Sequence, residues 1–358
     1  MRYELYPRNT VVIRGPASIM LLDGQATILG ATFPPAQRKT IPIQKQLPIE
    51  TTTRAKLEIA AEMSTQIFEI PGSTIPTSWS LAAATLVQMR AGKVVVIGPP
   101  DVGKSTLCVY LVNKMLQADR NVRVVDADIG QADVGPPTTI SHAVPHQSII
   151  SLQELDADRR LFIGDISPNR VQRKLIRAVQ RLSDGNDNSL MIVNTDGWVG
   201  DLDAMLYKVN LLMELKPDLV LGLEYSSELE SILGGVRFHS LKIGVSREVL
   251  ERSRVDRRSI RNEGYRRFLD GAYTRHVDLE EVPLSFPQFG TKIFDANASR
   301  GLIVGILDAE GYLVDIGILM GVQRESVSIY SRHQGAIKQM EAGYVKLSTS
   351  GSEIGFLK

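Results

Sequence analysis

The segment of residues 98–106 has the residue types and spacing of a phosphate-binding loop. Glycines at 98 and 103 let backbone N–H groups turn towards phosphate oxygens, and the start of a following helix attracts the same negative charge. In such a loop Lys104 reaches the β- and γ-phosphates, and the hydroxyl of Ser105 binds Mg²⁺. The residues predicted to bind a nucleoside triphosphate are Gly98, Pro99, Pro100, Asp101, Val102, Gly103, Lys104, Ser105 and Thr106.

The elements that must position this loop are visible on both sides of it. The apolar run 93–97 predicts a buried strand, and residues 107–118 predict an amphipathic helix. Further strands are predicted at 122–127, 190–194, 218–223 and 240–244, and helices at 104–118, 170–182 and 201–215. Such alternation is typical of an α/β fold whose mainly parallel sheet is covered on both faces.

Short β-like runs lie before and after this core. Residues 1–75 lack helical periodicity and contain a hairpin-type turn at Asp23-Gly24, and similar runs occur at 302–307, 312–316 and 326–330. A charged helical stretch is predicted between Ser246 and about Leu269. The predicted organisation is an N-terminal β domain (1–75), a P-loop domain (76–272) with an arginine-rich segment near 248–269, and a C-terminal β domain (273–358).

Composition excludes several classes of protein. The net charge of +1 is not that of a bulk nucleic-acid binder, and the sequence has no apolar run of transmembrane length and no export leader. The single cysteine, Cys108, cannot form an internal disulfide. A cytoplasmic or nuclear location is therefore expected.

Carboxylates follow two of the predicted strands. Asp126 and Asp128 stand at the end of the strand 122–127, and Asp196 follows the strand 190–194. Because the carboxyl ends of parallel strands open onto the ligand crevice, each could hold Mg²⁺ or accept a proton. From the spacing alone, Asp128 and Asp196 are about equally good candidates for the metal ligand.

Two further segments follow strands and have two interpretations each. Ser167-Pro168 is either a loop that leads into a helix or part of a substrate site. Trp198 is either a core tryptophan or an indole that stacks on a base.

Residues 248–267 are rich in arginine. Arg254, Arg257, Arg258 and Arg261 recur at spacings of three and four, which places them on one helical face. This face is either solvated and paired with nearby carboxylates, or a lid whose guanidinium groups neutralise a transferred phosphoryl group.

Taken in order, these segments resemble the polynucleotide 5′-hydroxyl kinase family, which includes the RNA kinase of the mRNA cleavage complex and the kinase of ribosomal RNA processing. The resemblance rests on residues 98–106, Asp126-Ala-Asp-Ile-Gly-Gln131 with Pro136-Pro137, Ser167-Pro168, Asn194-Thr-Asp-Gly-Trp198 and the arginine-rich segment, and extends to residues 21–30. It covers about residues 10–270. The compact length suggests a stand-alone, archaeal-type member with a P-loop kinase core.

The resemblance implies roles for particular residues. Lys104 and Ser105 would bind ATP and Mg²⁺, and Asp128 would activate the 5′-hydroxyl or organise Mg²⁺, because the family does not require an acid at Asp196. The residues implied in substrate binding are Gln131, Ser167, Pro168 and Trp198. The lid candidates are Arg257, Arg258 and Arg261.

The predicted function is the ATP-dependent phosphorylation of 5′-hydroxyl ends of RNA, and of DNA as a second acceptor. The alternative is an assembly or processing factor that hydrolyses ATP with little kinase activity. A GTPase is disfavoured, because the only Asn-Lys pair, Asn113-Lys114, lies in a predicted helix without the following Asp.

Overall fold

The computed structural model describes residues 1–89, 91–185, 188–287 and 296–357. They fall into two compact units. The first comprises Met1–Val124, Val144–Leu155 and Gly185–Ser253, and the second Val125–Ala143, Asp156–Asp184 and Arg254–Lys358. Neither unit is one continuous stretch of sequence, and the predicted domain limits remain a prediction.

Nine strands in the first unit precede the first helix. They are β1 (Arg2–Leu5), β2 (Asn9–Arg14), β3 (Ala17–Asp23), β4 (Ala26–Ile28), β5 (Ala31–Phe33), β6 (Arg38–Ile41), β7 (Gln46–Glu50), β8 (Ala55–Ala61) and β9 (Gln66–Pro71). They form two antiparallel sheets with the orders β1-β8-β3-β6 and β5-β4-β7-β2-β9. Burial alternates along β3 and β8, so Ile19 and Leu57 face the core while their neighbours face outward.

The central segment alternates between strands and helices, as predicted. Its elements are α1 (Thr77–Gln88), β10 (Gly92–Ile97), α2 (Lys104–Gln117), β11 (Val122–Ala127), β12 (Thr139–Ala143), β13 (Arg159–Phe162), α3 (Gln172–Ser183), β14 (Leu190–Thr195), α4 (Leu202–Leu215), β15 (Leu219–Leu223), α5 (Glu230–Gly234), β16 (Ser240–Ile243) and α6 (Arg254–Leu269). The strands and helices predicted between residues 93 and 244 agree with these bounds to within about two residues, whereas β12, β13 and α5 were not predicted. The prediction of an α/β fold is confirmed.

The parallel sheet of the first unit lies beneath the phosphate loop. Strand β10 pairs in parallel with β14 on one side and β15 on the other, and β16 continues the sheet beyond β15. Every residue of β14 and β15 is buried, which explains their continuous apolar sequences. Strand β11 spans the division between the units, and in the second unit β12 pairs antiparallel with β13.

Two sequence predictions for this region need correction. Helix α1 was not predicted, although its buried residues Trp79, Ala82, Ala83 and Leu86 have helical spacing. The charged helix was predicted to start near Ser246, but α6 begins at Arg254. In the preceding segment Arg252 instead bonds to the phosphate loop through its backbone N–H and its side chain.

The rest of the second unit is mostly β-structure. Its elements are β17 (Tyr273–Asp278), β18 (Leu284–Ser285), α7 (Ala296–Ser299), β19 (Leu302–Leu307), β20 (Leu313–Val322), β21 (Ser326–Ser331), β22 (Gln339–Leu347) and β23 (Glu353–Phe356). The sheet has the order β17-β21-β20-β19-β22-β18, with β23 paired to β22. One face packs on Tyr265 and Leu269, which anchors the carboxyl end of α6.

None of the helices in the described ranges combines the length and the hydropathy needed to cross a bilayer.

Candidate active site

The phosphate loop joins β10 to α2 with the backbone shape that its glycines predict. Gly103 has a φ of 91°, in the left-handed region, and it caps the amino end of α2. Lys104 is buried, and its ammonium group donates to the carbonyl oxygens of Gly98 at 3.0 Å and Pro99 at 2.8 Å. The lysine therefore lies across the inside of the loop, where it can meet phosphate oxygens.

The hydroxyl of Ser105 lies beside the next strand of the sheet. Asn194, which is buried near the carboxyl end of β14, donates through Nδ2 to Ser105 Oγ at 3.3 Å. The neighbouring Thr195 hydroxyl donates to the carbonyl of Val96 in β10. Sequence reasoning assigned no role to Asn194, although it opens the Asn-Thr-Asp-Gly-Trp segment.

The turn after β14 packs directly against the phosphate loop. A Cβ atom on Gly197 would lie 2.7 Å from the backbone nitrogen of Pro100, closer than any real side chain allows. Only glycine permits this approach. The close approach of Gly197 to Pro100 holds the next residue, Trp198, beside the loop in the first unit.

Asp196 takes part in a buried network. Its carboxylate accepts from the Trp198 backbone N–H at 2.9 Å, the Tyr207 hydroxyl at 2.8 Å and the Lys208 ammonium at 2.9 Å. Lys208 is fully buried in the first half of α4. The carboxylate is therefore occupied by protein donors, which disfavours Asp196 as the metal ligand.

We expect Asp196→Ala to destabilise the fold strongly. The change would leave the buried Lys208 ammonium without its carboxylate, and breaking a buried pair in this way costs about 3–5 kcal/mol. Urea unfolding would measure the loss. Asp203→Ala, an exposed change in the first turn of the same helix, is the control and should cost less than about 1 kcal/mol. Equal effects of the two changes would contradict the network's structural role.

Trp198 is half-buried, so its environment is intermediate between that of a core tryptophan and that of an exposed indole. Its ring stacks on Tyr207 with centroids 5.8 Å apart and an interplanar angle of 25°, and Nε1 donates to Asp201 at 2.8 Å. The carboxylate of Asp201 also caps α4 by accepting from the Ala204 N–H, and these two hydrogen bonds hold the Asp201 pKa below its usual value. The indole is thus fixed in orientation without being a core residue.

A charged residue from the start of the arginine-rich segment also contacts the loop. Arg252 donates to Asp101 through its backbone N–H at 3.2 Å and through Nη1 at 3.4 Å, and its Nε and Nη2 donate to the carbonyl of Gln44. Asp101 has a φ of 59°. Arg252 thus connects the loop to the segment before β7, a role that the sequence did not indicate.

In the second unit, Asp126 and Asp128 occupy different environments at the end of β11. Asp126 is buried and accepts from the N–H groups of Asp133 and Val134. Burial, reinforced by the nearby carboxylates of Asp133 and Asp128, raises the pKa of Asp126 to about 7. Asp128 is only partly buried and accepts from the N–H groups of Gly130 and Gln131.

Gln131 and the arginines of α6 also belong to the second unit. The Gln131 amide donates to the carbonyl of Arg257 at 3.3 Å, so the predicted substrate residue and the predicted lid are in contact. Arg261 binds the buried carboxylate of Glu353 through Nε and Nη2, and the Arg258 guanidinium donates to the Glu353 carbonyl. Two of the three lid candidates are therefore held by β23.

The Ser167-Pro168 segment forms the entry to a short 3₁₀ turn before α3. Pro168 is buried, whereas Ser167 is exposed. The buried Asp165 shapes the turn, because it accepts from the N–H groups of Ile166 and Ser167 and binds Arg170 Nε at 3.0 Å. Pro168 therefore fits the interpretation as a loop that leads into a helix. Of the two residues, Ser167 is the one whose polar side chain is exposed to solvent.

Among the described residues no cluster of three or more acidic, histidine or cysteine side chains could hold a metal ion by itself.

Comparison with known proteins identifies the same segments. Residues 98–271 match the family model described as the mRNA cleavage and polyadenylation factor CLP1 P-loop. A polyribonucleotide 5′-hydroxyl-kinase of Pyrococcus furiosus is 27% identical over 323 residues, which cover 75% of this chain and 91% of that protein. A CLP1 homologue of Brugia malayi is 24% identical over 360 residues, 87% of this chain and 82% of that protein.

A solved structure shows the same fold. Wild-type Clp1p, determined in complex with Pcf11p, superposes with a TM-score of 0.76 at 15% identity and covers 97% of this chain and 98% of that one. The matched segment contains the phosphate loop, the Asp126–Gln131 segment, Trp198 and α6. Residues 98–271 therefore match the Clp1 P-loop family model, and the archaeal relatives of the chain carry the name polyribonucleotide 5′-hydroxyl-kinase.

Proposed function

We propose that this protein is an ATP-dependent polynucleotide 5′-hydroxyl kinase that transfers the γ-phosphate of ATP to the 5′-hydroxyl end of RNA. The observation that carries the proposal is the phosphate loop itself, with Lys104 inside the turn, in a chain whose relatives are named for this activity. Phosphoryl transfer needs alignment and charge neutralisation more than covalent catalysis, and the loop provides both for the donor.

On the donor side, the roles proposed for the residues follow from their contacts. Lys104 exchanges its carbonyl partners for β- and γ-phosphate oxygens, and the backbone of residues 98–106 surrounds the phosphates. Ser105, oriented by Asn194, offers its oxygen to Mg²⁺. A bound Mg²⁺ would neutralise phosphate charge, and the hydroxyl and carboxylate oxygens of Ser105 and Asp128 are of the type it prefers.

On the acceptor side, Asp128 is the proposed base or metal-organising residue. Its carboxylate is fixed by two backbone N–H groups and is not buried as deeply as that of Asp126. Asp126, with its raised pKa and two backbone donors, is better suited to shaping the turn. Gln131 and Ser167 are proposed to contact the terminal nucleotide.

Arg257 is the proposed catalytic arginine of the lid because of its position on α6. The guanidinium groups of Arg258 and Arg261 pair with Glu353 of β23. Arg257 is joined to Gln131 through its carbonyl group, which places its side chain on the turn of α6 nearest to the proposed acceptor residues. Arg258 and Arg261 are then proposed to hold the lid helix in place.

The deciding experiment is transfer of labelled γ-phosphate to matched RNA and DNA oligonucleotides with 5′-hydroxyl ends. We expect transfer to RNA, and the DNA reaction measures how strictly the sugar is selected. An RNA that already carries a 5′-phosphate is the negative control. ATP hydrolysis without transfer to either oligonucleotide would overturn the proposal in favour of an assembly or processing factor.

Trp198 is proposed to stack on a base of the acceptor. We expect Trp198→Ala to weaken oligonucleotide binding by about 1–3 kcal/mol, as for loss of one stacking contact, with little change in ATP affinity. Thermal melting and oligonucleotide titration of the same sample measure both consequences. Asp201→Ala, which removes the partner of Nε1 but keeps the ring, is the control. A lower melting temperature with unchanged oligonucleotide affinity would assign Trp198 a structural role instead.

A further inference from the structure

A group of arginines surrounds an aromatic ring at the carboxyl end of α6, apart from the proposed catalytic and substrate-binding residues. The guanidinium carbons of Arg160, Arg267 and Arg332 lie 5.7, 5.1 and 5.4 Å from the ring centroid of Phe268. We call these four residues the Phe268 cluster. They come from β13, from the last turn of α6 and from the residue after β21, all in the second unit.

The positive charge of the Phe268 cluster is only partly compensated. Arg332 binds Asp315 at 3.3 Å, but neither Arg160 nor Arg267 forms an ion pair within the part of the chain that the structure describes. The Nε atom of Arg160 is buried and has no hydrogen-bond partner among the described residues. Partial burial lowers the Arg160 pKa, and Arg332 and Arg267 lower it further, against attraction from Asp315 and Asp156.

A second pair of arginines lies at the other face of β13, because successive side chains of a strand point to opposite faces. Arg159 lies over the ring of Tyr312 at 5.1 Å and donates to its hydroxyl at 3.2 Å, and Arg181 lies over the same ring at 4.1 Å. The side chains of Arg159, Arg181, Arg267 and Arg332 are exposed. The group around Tyr312 is therefore separate from the Phe268 cluster, although both groups adjoin β13.

We propose that the Phe268 cluster binds backbone phosphates of the RNA acceptor, several nucleotides away from the end that is phosphorylated. The inference rests on the proposed kinase function and adds a second contact region for the same substrate. A guanidinium group binds a phosphate through two parallel N–H···O bonds, and the three guanidinium groups of the cluster can bind successive phosphates. An RNA strand supplies such a row of phosphates, whereas a single small anion supplies one charge.

Helix α6 sets the distance between this region and the proposed acceptor residues. Arg257, which contacts Gln131, and Phe268 are separated by eleven residues of one helix, or about 16 Å along its axis. A stacked strand advances about 3.4 Å per nucleotide, so an RNA of about five nucleotides spans this distance. Short acceptors should therefore not reach the Phe268 cluster, and longer ones should.

This length dependence provides the test. The variant replaces three residues (Arg160→Gln, Arg267→Gln and Arg332→Gln). The charge-matched control replaces Arg177, Arg266 and Arg324, which are exposed in the same unit and have no assigned role, by glutamine. Each protein is assayed with 5′-hydroxyl RNAs of about three and about twelve nucleotides, and titrated with a twelve-nucleotide 5′-phosphorylated RNA that cannot react further.

In the cluster variant, we expect the KM and Kd of the longer RNA to rise about tenfold or more. The KM of the short RNA and the turnover at saturating RNA should not change. The slope of log Kd against log salt should fall by about 2, or 0.7 for each of three phosphate contacts. Equal losses on both RNA lengths, or no difference from the control, would overturn the proposal. Binding of the 5′-phosphorylated RNA measures the contribution of the Phe268 cluster without any phosphoryl transfer. Absence of transfer by the wild type would therefore contradict only the proposed kinase function.

Discussion

Lys104→Ala should abolish most phosphoryl transfer, with a fall in turnover of about two to three orders of magnitude or more. The ammonium group lies inside the phosphate loop, and it is the donor expected to contact the oxygens that gain charge in the transition state. Single-turnover transfer to an RNA 5′-hydroxyl measures the loss. Circular dichroism and thermal melting show whether the fold survives the removal of a buried side chain.

The matched control for this change is Lys114→Ala, near the carboxyl end of the same helix. Lys114 bonds to Gln117 and lies over the ring of Tyr110, about ten residues from the phosphate loop. It should leave transfer nearly unchanged. A folded Lys104→Ala protein with turnover close to the wild type would refute the assignment of the loop.

Asp128→Asn should keep ATP binding and lower turnover by about two orders of magnitude or more. Asparagine retains an Oδ1 acceptor for the N–H groups of Gly130 and Gln131, so the turn should survive while the charge is lost. Asp158→Asn, an exposed carboxylate of the same unit, is the control for the change in charge. ATP titration and single-turnover rates separate the two effects.

A comparison with Asp196→Asn tests the division of roles between the two strand ends. Its carboxylate is surrounded by Lys208, Tyr207 and the Trp198 N–H, so its loss should appear mainly as reduced stability. If Asp196→Asn lost turnover at unchanged stability while Asp128→Asn remained active, the assignment of the catalytic carboxylate would be reversed.

The phosphate loop and its flanking elements could be predicted because their determinants are local. Gly103 permits a left-handed backbone just before Lys104, and the apolar residues 94–97 are buried on both faces of the sheet, as their sequence predicts. The start of α6 was wrong by about eight residues. Arginine-rich sequence is compatible with a helix throughout 246–269, and only the bonds of Arg252 to Asp101 and Gln44 exclude the first part.

The contacts that restrain the predicted site residues could not be found from the sequence. Glu353 lies 92 positions from the Arg261 that it binds, and Lys208 reaches Asp196 across the start of a helix. Charged residues occur throughout the chain, and their spacing does not reveal which ones are buried together. A periodic pattern identifies the face of a helix, but the partner of that face is set by tertiary packing.

The bridge formed by Arg252 has a thermodynamic consequence. One guanidinium group is shared by the Asp101 carboxylate of the phosphate loop and the Gln44 carbonyl before β7. If a bound nucleotide strengthens or weakens the bond of Arg252 to Asp101, the loss of that bond changes nucleotide affinity by the same free energy. A substitution near Gln44 that displaces Arg252 would then change ATP affinity as well, although Gln44 belongs to no nucleotide-binding motif.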